Sequence, residues 1–213
     1  MPVVLNLGCG VDVAAGWINI DRSPSVLLDR VPPVKHLLRW LGILAAGHMA
    51  TWPRSVVRYD LRRGIPYGDR SVDAIYSSHM LEHMYLNQAR DLLKECERVL
   101  KPGGIIRVAL PDCGVVASDF VQQEAAGVAD AGLQFNRSLV GGLLKAPSRR
   151  QRLVGLASSD QHRWYPTRSL VRQLLMEAKF VRVAERGFLE GDLPALVSVE
   201  RREDSMFVEA ATT

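Results

Sequence analysis

Cysteine is scarce in this chain and poorly spaced: Cys9, Cys96 and Cys113 are the three among 213 residues. An odd count with no C-x-x-C pair argues against a disulfide framework and a cysteine zinc site. It reads instead as reduced thiols in a cytoplasmic protein. A long hydrophobic run is also lacking. The most apolar window, residues 34–50, holds Lys35, His36, Arg39 and His48, which makes it too short and too polar to span a membrane. The N-terminus opens on a strand pattern, so no signal peptide is expected. Charge of one sign is lacking too: 27 basic against 23 acidic residues leave +4, scattered along the chain, which argues against a nucleic-acid partner. The only dense basic cluster, Arg149, Arg150 and Arg152, reads as a solvated helix face. Internal repeats and low-complexity runs are absent.

What is present has the balance of a single globular domain, residues 1–213, with a sizeable core. Short β-branched runs at 3–7, 17–21, 56–60, 72–77 and 105–110 read as buried parallel strands. Apolar residues recur at helical spacing over 86–100 and again over 168–178, the latter with Thr167 as N-cap. A strand follows from Phe180. The closing strand is expected at 206–210 rather than 195–199, because Asp204-Ser205 marks a loop before it. Alternating strands and helices imply a doubly wound α/β sheet of seven mostly parallel strands. Two stretches, 24–55 and 112–163, exceed what that sheet needs and are expected to form helical lid or substrate segments.

Four segments in order carry the functional signal: Leu5-Asn6-Leu7-Gly8-Cys9-Gly10; Tyr59-Asp60-Leu61; the run from Ser71 to His83; and Arg98-Val99-Leu100-Lys101-Pro102-Gly103-Gly104, a helix end stopped by a Pro-Gly-Gly turn. Together they resemble the class I (Rossmann-like) S-adenosylmethionine-dependent methyltransferases over residues 3–110 and again over 162–210. The resemblance implies S-adenosylmethionine as cofactor. Backbone N–H groups around Gly8, Cys9 and Gly10 would contact its methionine part, and Asp21 its ribose hydroxyls. Asp60 and Leu61 would border adenine, and Asn6 and Ser78 complete the implied set. A nicotinamide dinucleotide fits poorly, because Val13 stands where G-x-G-x-x-G needs its third glycine.

Two features depart from the family. Asn6 stands where an acidic residue more often organises the glycine loop. Only residues 11–17 join Gly10 to the second strand, whereas a parallel crossover usually needs a dozen residues. Seven residues reach at most about 25 Å, so the first helix is expected to shrink to a turn, and segment 34–50 to cover the sheet it exposes. A compact bacterial subset of the family, often tied to glycan or natural-product assembly, is similar in this respect. The matching residues are Asn6 to Gly10 followed by Gly16-Trp17-Ile18-Asn19-Ile20-Asp21.

His79-Met80-Leu81-Glu82-His83 literally matches the inverted zinc-protease motif H-x-x-E-H. It closes a strand instead of riding a long helix, so a protease is set aside. His79 is the first candidate general base for a hydroxyl acceptor, since imidazole titrates near neutrality. His162, in Gln161-His162-Arg163-Trp164-Tyr165-Pro166, is the second, and Asp112 is a further candidate for the pocket. The resemblance also allows a metal-assisted variant in which His79, Glu82 and His83 hold a divalent ion, with His162 as a fourth ligand. No metal site is assigned in the leading reading.

That reading is methyl transfer to O or N of a small acceptor, a sugar or secondary-metabolite intermediate. The partner is a small-molecule substrate; a homodimer surface or a lid both suit segment 34–50. A catalytically silent scaffold on the same fold is the competing reading, favoured by Asn6 and opposed by Asp21, Asp60 and His79.

Overall fold

The computed structural model describes residues 2–41, 44, 50–140 and 161–213. The Arg149, Arg150, Arg152 cluster and parts of both long insertions lie outside them. In chain order the elements are β1 (Val4–Leu7), β2 (Ile18–Asp21), α1 (Ser25–Leu28), α2 (Pro32–Trp40), β3 (Val57–Arg58) and β4 (Val72–Ser78). Then come α3 (Leu86–Val99), β5 (Leu100–Leu110), α4 (Cys113–Ala125) and α5 (Ala131–Val140). The chain closes with α6 (Arg168–Glu177), β6 (Val181–Arg186), α7 (Leu196–Val199) and β7 (Met206–Ala211).

The strands form one seven-stranded sheet in the order β3-β2-β1-β4-β5-β7-β6. The first five run parallel, and β7 lies antiparallel to both β5 and β6. This is the expected mostly parallel α/β sheet, and the final strand is the later of its two candidates. Residues 196–199, the rejected candidate, form a short helix instead.

On one face, the apolar stripes of α3 (Ala89, Leu92, Leu93, Cys96) and α6 (Val171, Leu174, Leu175) bury against Leu5, Leu7, Ile75, Ile106 and Val108. Thr167 caps α6 as expected, its hydroxyl accepting from the Leu170 N–H at 3.4 Å. Two expectations change in detail. The third strand keeps only two residues, because Asp60 turns to accept the Arg62 N–H at 3.2 Å and starts a short 3-10 turn. The Pro-Gly-Gly segment is a bulge inside β5 rather than a turn before it: Val72 pairs with Leu100 and Ala74 with Ile105. Gly103 supplies the left-handed residue that such a bulge requires, at φ +74°.

The other face shows how the fold manages without its first helix. Residues 11–17 form a turn, as their length predicts. Asn19 stitches it: its side chain donates to the Ala14 and Trp17 carbonyls, each at 3.0 Å, and accepts the Ala14 N–H at 2.9 Å. Asn6, paired with Asn19 in register, donates to Asn19 Oδ1 at 2.9 Å and reaches the Asp12 carbonyl at 3.3 Å. A buried asparagine pair thus satisfies backbone groups that a helix would have satisfied internally. The exposed sheet residues Val4, Ala74, Tyr76, Ala109 and Phe207 are covered by Ala14 and Trp17, and by Leu193, Leu196 and Val199 around α7.

The expected cover was segment 34–50. In its described part Val34, Leu37, Trp40 and Leu41 are exposed while Lys35 and Leu44 are buried, and 42–43 and 45–49 lie outside the described residues; among the described residues the cover comes from the C-terminal end of the chain. Arg107 fastens that cover. Wholly buried, it binds both Glu200 oxygens at 2.7 and 3.0 Å, the Gly187 and Glu190 carbonyls at 2.7 Å, and Glu209 at 3.3 Å. The second long insertion contributes α4 and α5, joined by stacked Phe120 and Phe135 rings 4.5 Å apart.

Candidate active site

A cavity of about 600 Å³ opens at the carboxyl ends of β1, β2 and β4, where open parallel sheets place their ligands. Gly8 and Gly10 both take left-handed conformations, φ +69° and +57°. Gly8 donates its N–H to the Ile20 carbonyl at 2.8 Å, and a Cβ there would lie 2.3 Å from Met80 Cγ. A Cβ on Gly10 would meet nothing within 4 Å. Gly8 therefore keeps the loop against the protein, and Gly10 leaves its outer side open to a ligand.

Asp21 organises this loop. One carboxylate oxygen accepts the Gly10 N–H at 3.0 Å and the other the Ser23 N–H at 2.7 Å. Each oxygen retains a lone pair, and the side chain lines the cavity. The organising acid is thus at the end of β2, while the β1 position is an asparagine occupied with the neighbouring turn. Asp60 is gripped by Arg62 through bonds of 2.8 and 2.6 Å. That guanidinium holds its carboxyl down at about 2. Leu61 is buried beside it on the cavity wall. Cys9 also faces the cavity; burial, assisted by the Asp21 charge, pushes its thiol up to about 12.

All eight residues expected around the cofactor (Asn6, Gly8, Cys9, Gly10, Asp21, Asp60, Leu61 and Ser78) line this one cavity. The two candidate bases part company. His79 lines it, at φ +48°, with Nε2 2.8 Å from Ser205 Oγ and Nδ1 3.3 Å from Glu82 Oε1. His162 is not on the wall. It lies behind His83, ring centroids 5.0 Å apart, and burial holds its pKa below the ordinary histidine value. Asp112 caps α4 and pairs with Arg168 at 2.7 Å, away from the lining residues. The left-handed His79 and the single 3-10 turn Leu81–His83 also remove the helix that an H-x-x-E-H zinc site needs.

Several wall residues carried no signal in the sequence: Tyr85, Gln88, Arg163, Arg201 and Arg202. Arg163 lies over the Tyr85 ring at 5.1 Å. Arg201 and Arg202 reach the cavity because β7 runs antiparallel, so the loop preceding it arrives at the same edge that the parallel strands leave. The orientation of the last strand was the clue available.

A family model described as "Methyltransferase domain" matches residues 5–108. A curated protein of Mycolicibacterium smegmatis named "Probable S-adenosylmethionine-dependent methyltransferase" is 36% identical over 117 residues, 51% of this chain and 38% of that protein. The match thus spans well under half of that relative. Among solved structures, a SAM dependent methyltransferase from Archaeoglobus fulgidus superposes with a TM-score of 0.51 at 13% identity, covering 99% of this chain and 86% of that one. That likeness is one of fold. No helix among the described residues is long and apolar enough to cross a membrane.

Proposed function

We propose that this chain is a class I S-adenosylmethionine-dependent methyltransferase and that it transfers a methyl group to O or N of a small acceptor. The observation that carries the reading is the convergence of Gly10, Asp21, Asp60, Leu61 and His79 on one cavity. When bound, the cofactor supplies a methyl group made electrophilic by a sulfonium.

The residues present fit that molecule. Gly10 leaves open space for close backbone approach. Asp21 keeps free lone pairs for ribose hydroxyls, and Leu61 offers an apolar wall to adenine beside Asp60. His79 accepts the acceptor's proton, with Glu82 behind Nδ1 to stabilise the charged imidazole; the acceptor hydroxyl takes the place Ser205 holds at Nε2. Positioning does much of the remaining work in an in-line transfer.

The acceptor is a sugar or secondary-metabolite intermediate carrying an acidic group. The carboxylates on the wall, Asp12, Asp21 and Asp60, cluster at the ends of β1 to β3. Arg163, Arg201 and Arg202 also line the cavity, on the segments that precede α6 and β7, and they favour a carboxylate or phosphate on the acceptor.

Calorimetric titration with S-adenosylmethionine and S-adenosylhomocysteine, alongside Asp21→Ala, tests the core of this reading. Micromolar binding lost in the variant is expected. Absence of binding by the wild-type protein overturns the reading.

A further inference from the structure

Behind the cavity wall, Glu82, His83 and His162 bring a carboxylate and two imidazoles together, one ligand atom from each lying within 4.8 Å of the others. Glu82 is 0% exposed, yet neither of its oxygens accepts a hydrogen bond. Nδ1 of His83 and Nδ1 of His162 are buried and equally without partners. His79 Nδ1 approaches Glu82 Oε1 at 3.3 Å, but not in hydrogen-bonding geometry. A buried carboxylate without donors is among the costliest features a protein interior can carry. Here one nitrogen of each of two imidazoles lies within 4.8 Å of it.

The backbone already holds these groups in place. The Arg163 N–H donates to the Glu82 carbonyl at 2.7 Å, and Trp164 Nε1 donates to the Leu81 carbonyl at 3.1 Å. Both bonds clamp the segment carrying His162 onto the turn carrying Glu82 and His83. The two rings meet at 65°, so they do not stack against each other.

We propose that Glu82, His83 and His162 bind one divalent first-row transition cation of the Zn²⁺ class. Two imidazoles and a carboxylate suit such an ion; Mg²⁺ and Ca²⁺ prefer all-oxygen sites. Metal–ligand distances of about 2.0–2.2 Å put ligand atoms about 3.4 Å apart, which small side-chain rotations reach from the present spacing. His79 is outside this ligand set: its Nδ1 approaches Glu82 Oε1 alone, whereas the atoms that gather within 4.8 Å of one another are those of Glu82, His83 and His162. The cation cross-links the 81–83 turn to the segment bearing Arg163, and His83 separates it from the main cavity. Its function is to position Arg163 on the acceptor side. The site stands on its own geometry and does not depend on the methyltransferase reading.

The test is metal uptake by the full chain after stripping with chelator, using Zn²⁺ for stoichiometry and melting temperature and Co²⁺ for its visible absorption. One equivalent of Zn²⁺, a melting temperature raised by several degrees and a tetrahedral-type Co²⁺ spectrum are expected. All three should be lost in His162→Ala and in His83→Gln, with circular dichroism checking that each variant folds. Retention of stoichiometric uptake by a folded His162→Ala overturns the proposal. So does absence of uptake by the wild-type protein, which would leave the cluster sharing a proton instead; that second arm holds even where a variant fails to fold.

Discussion

Trp17 Nε1 donates a hydrogen bond to Ser198 Oγ at 3.0 Å, joining residues 181 positions apart. One partner ends the shortened loop after the glycine turn, and the other lies in α7, the helix laid over the sheet where a first helix would ordinarily lie. Loop shortening and C-terminal cover are two halves of one arrangement.

Trp17→Ala should therefore unseat α7 as well as open a cavity. A loss of about 3–5 kcal/mol is expected, against about 1 kcal/mol for Ser198→Ala. Urea denaturation of the two variants measures the difference.

Arg107→Ala should be still less tolerable than its size suggests. It leaves Glu200, which is fully buried, without its cation, and Glu209, which is nearly so, with only Arg186 at 3.8 Å. Removing one partner from such a cluster costs about 3–5 kcal/mol. Replacing Arg107 and Glu200 together by apolar residues of similar volume should recover part of that loss in a double-mutant comparison.

The two loop glycines should respond differently to alanine. At Gly8 the new methyl collides with Met80 in addition to the left-handed strain, so both stability and cofactor binding should fall. At Gly10 the space is open and only the backbone strain of about 1 kcal/mol remains; here cofactor affinity should drop more than the melting temperature. Parallel thermal and calorimetric titrations separate the two.

Asp60 carries a pH signature. Its folded pKa of about 2 lies below the ordinary 3.8. The resulting stabilisation is present above pH 4 and is lost as pH falls from about 4 toward about 2. Because the pair with Arg62 is partly exposed, the effect should stay under about 1 kcal/mol. Arg62→Ala should flatten the stability profile in that window and lower stability above it by the same amount, variant and wild type converging near pH 2.

Cys9, with its thiol held up at about 12, should alkylate slowly at pH 8, since the thiolate is the reactive form. Saturating S-adenosylhomocysteine should slow it further by occupying the cavity that Cys9 lines. Mass spectrometry of iodoacetamide-treated protein, with and without ligand, reads both effects.

Most of the sheet, and the part of the cavity wall formed by residues 6–10, Asp21, Asp60 and Leu61, were legible in the sequence, because those features are local. A β-branched run closing on Gly8-Cys9-Gly10 defines a strand and its turn. The 3.6-residue stripes at 86–100 and 168–178 define helices, and seven residues between Gly10 and Ile18 leave no room for another. An acid at the end of a short strand, such as Asp21 or Asp60, arrives at the carboxyl edge wherever the sheet goes.

The tertiary structure alone decided what local pattern does not encode. It laid α7 over the bared sheet, because the buried Arg107 ties residues 187–200 down through partners far apart in sequence. It put Arg201 and Arg202 on the cavity wall by turning β7 antiparallel. It drew His162 behind His83 while leaving His79 at the surface of the cavity. A residue's spacing sets the element it joins; which distant surface that element buries depends on shape and polar satisfaction across the whole chain, and these exist only once it has folded.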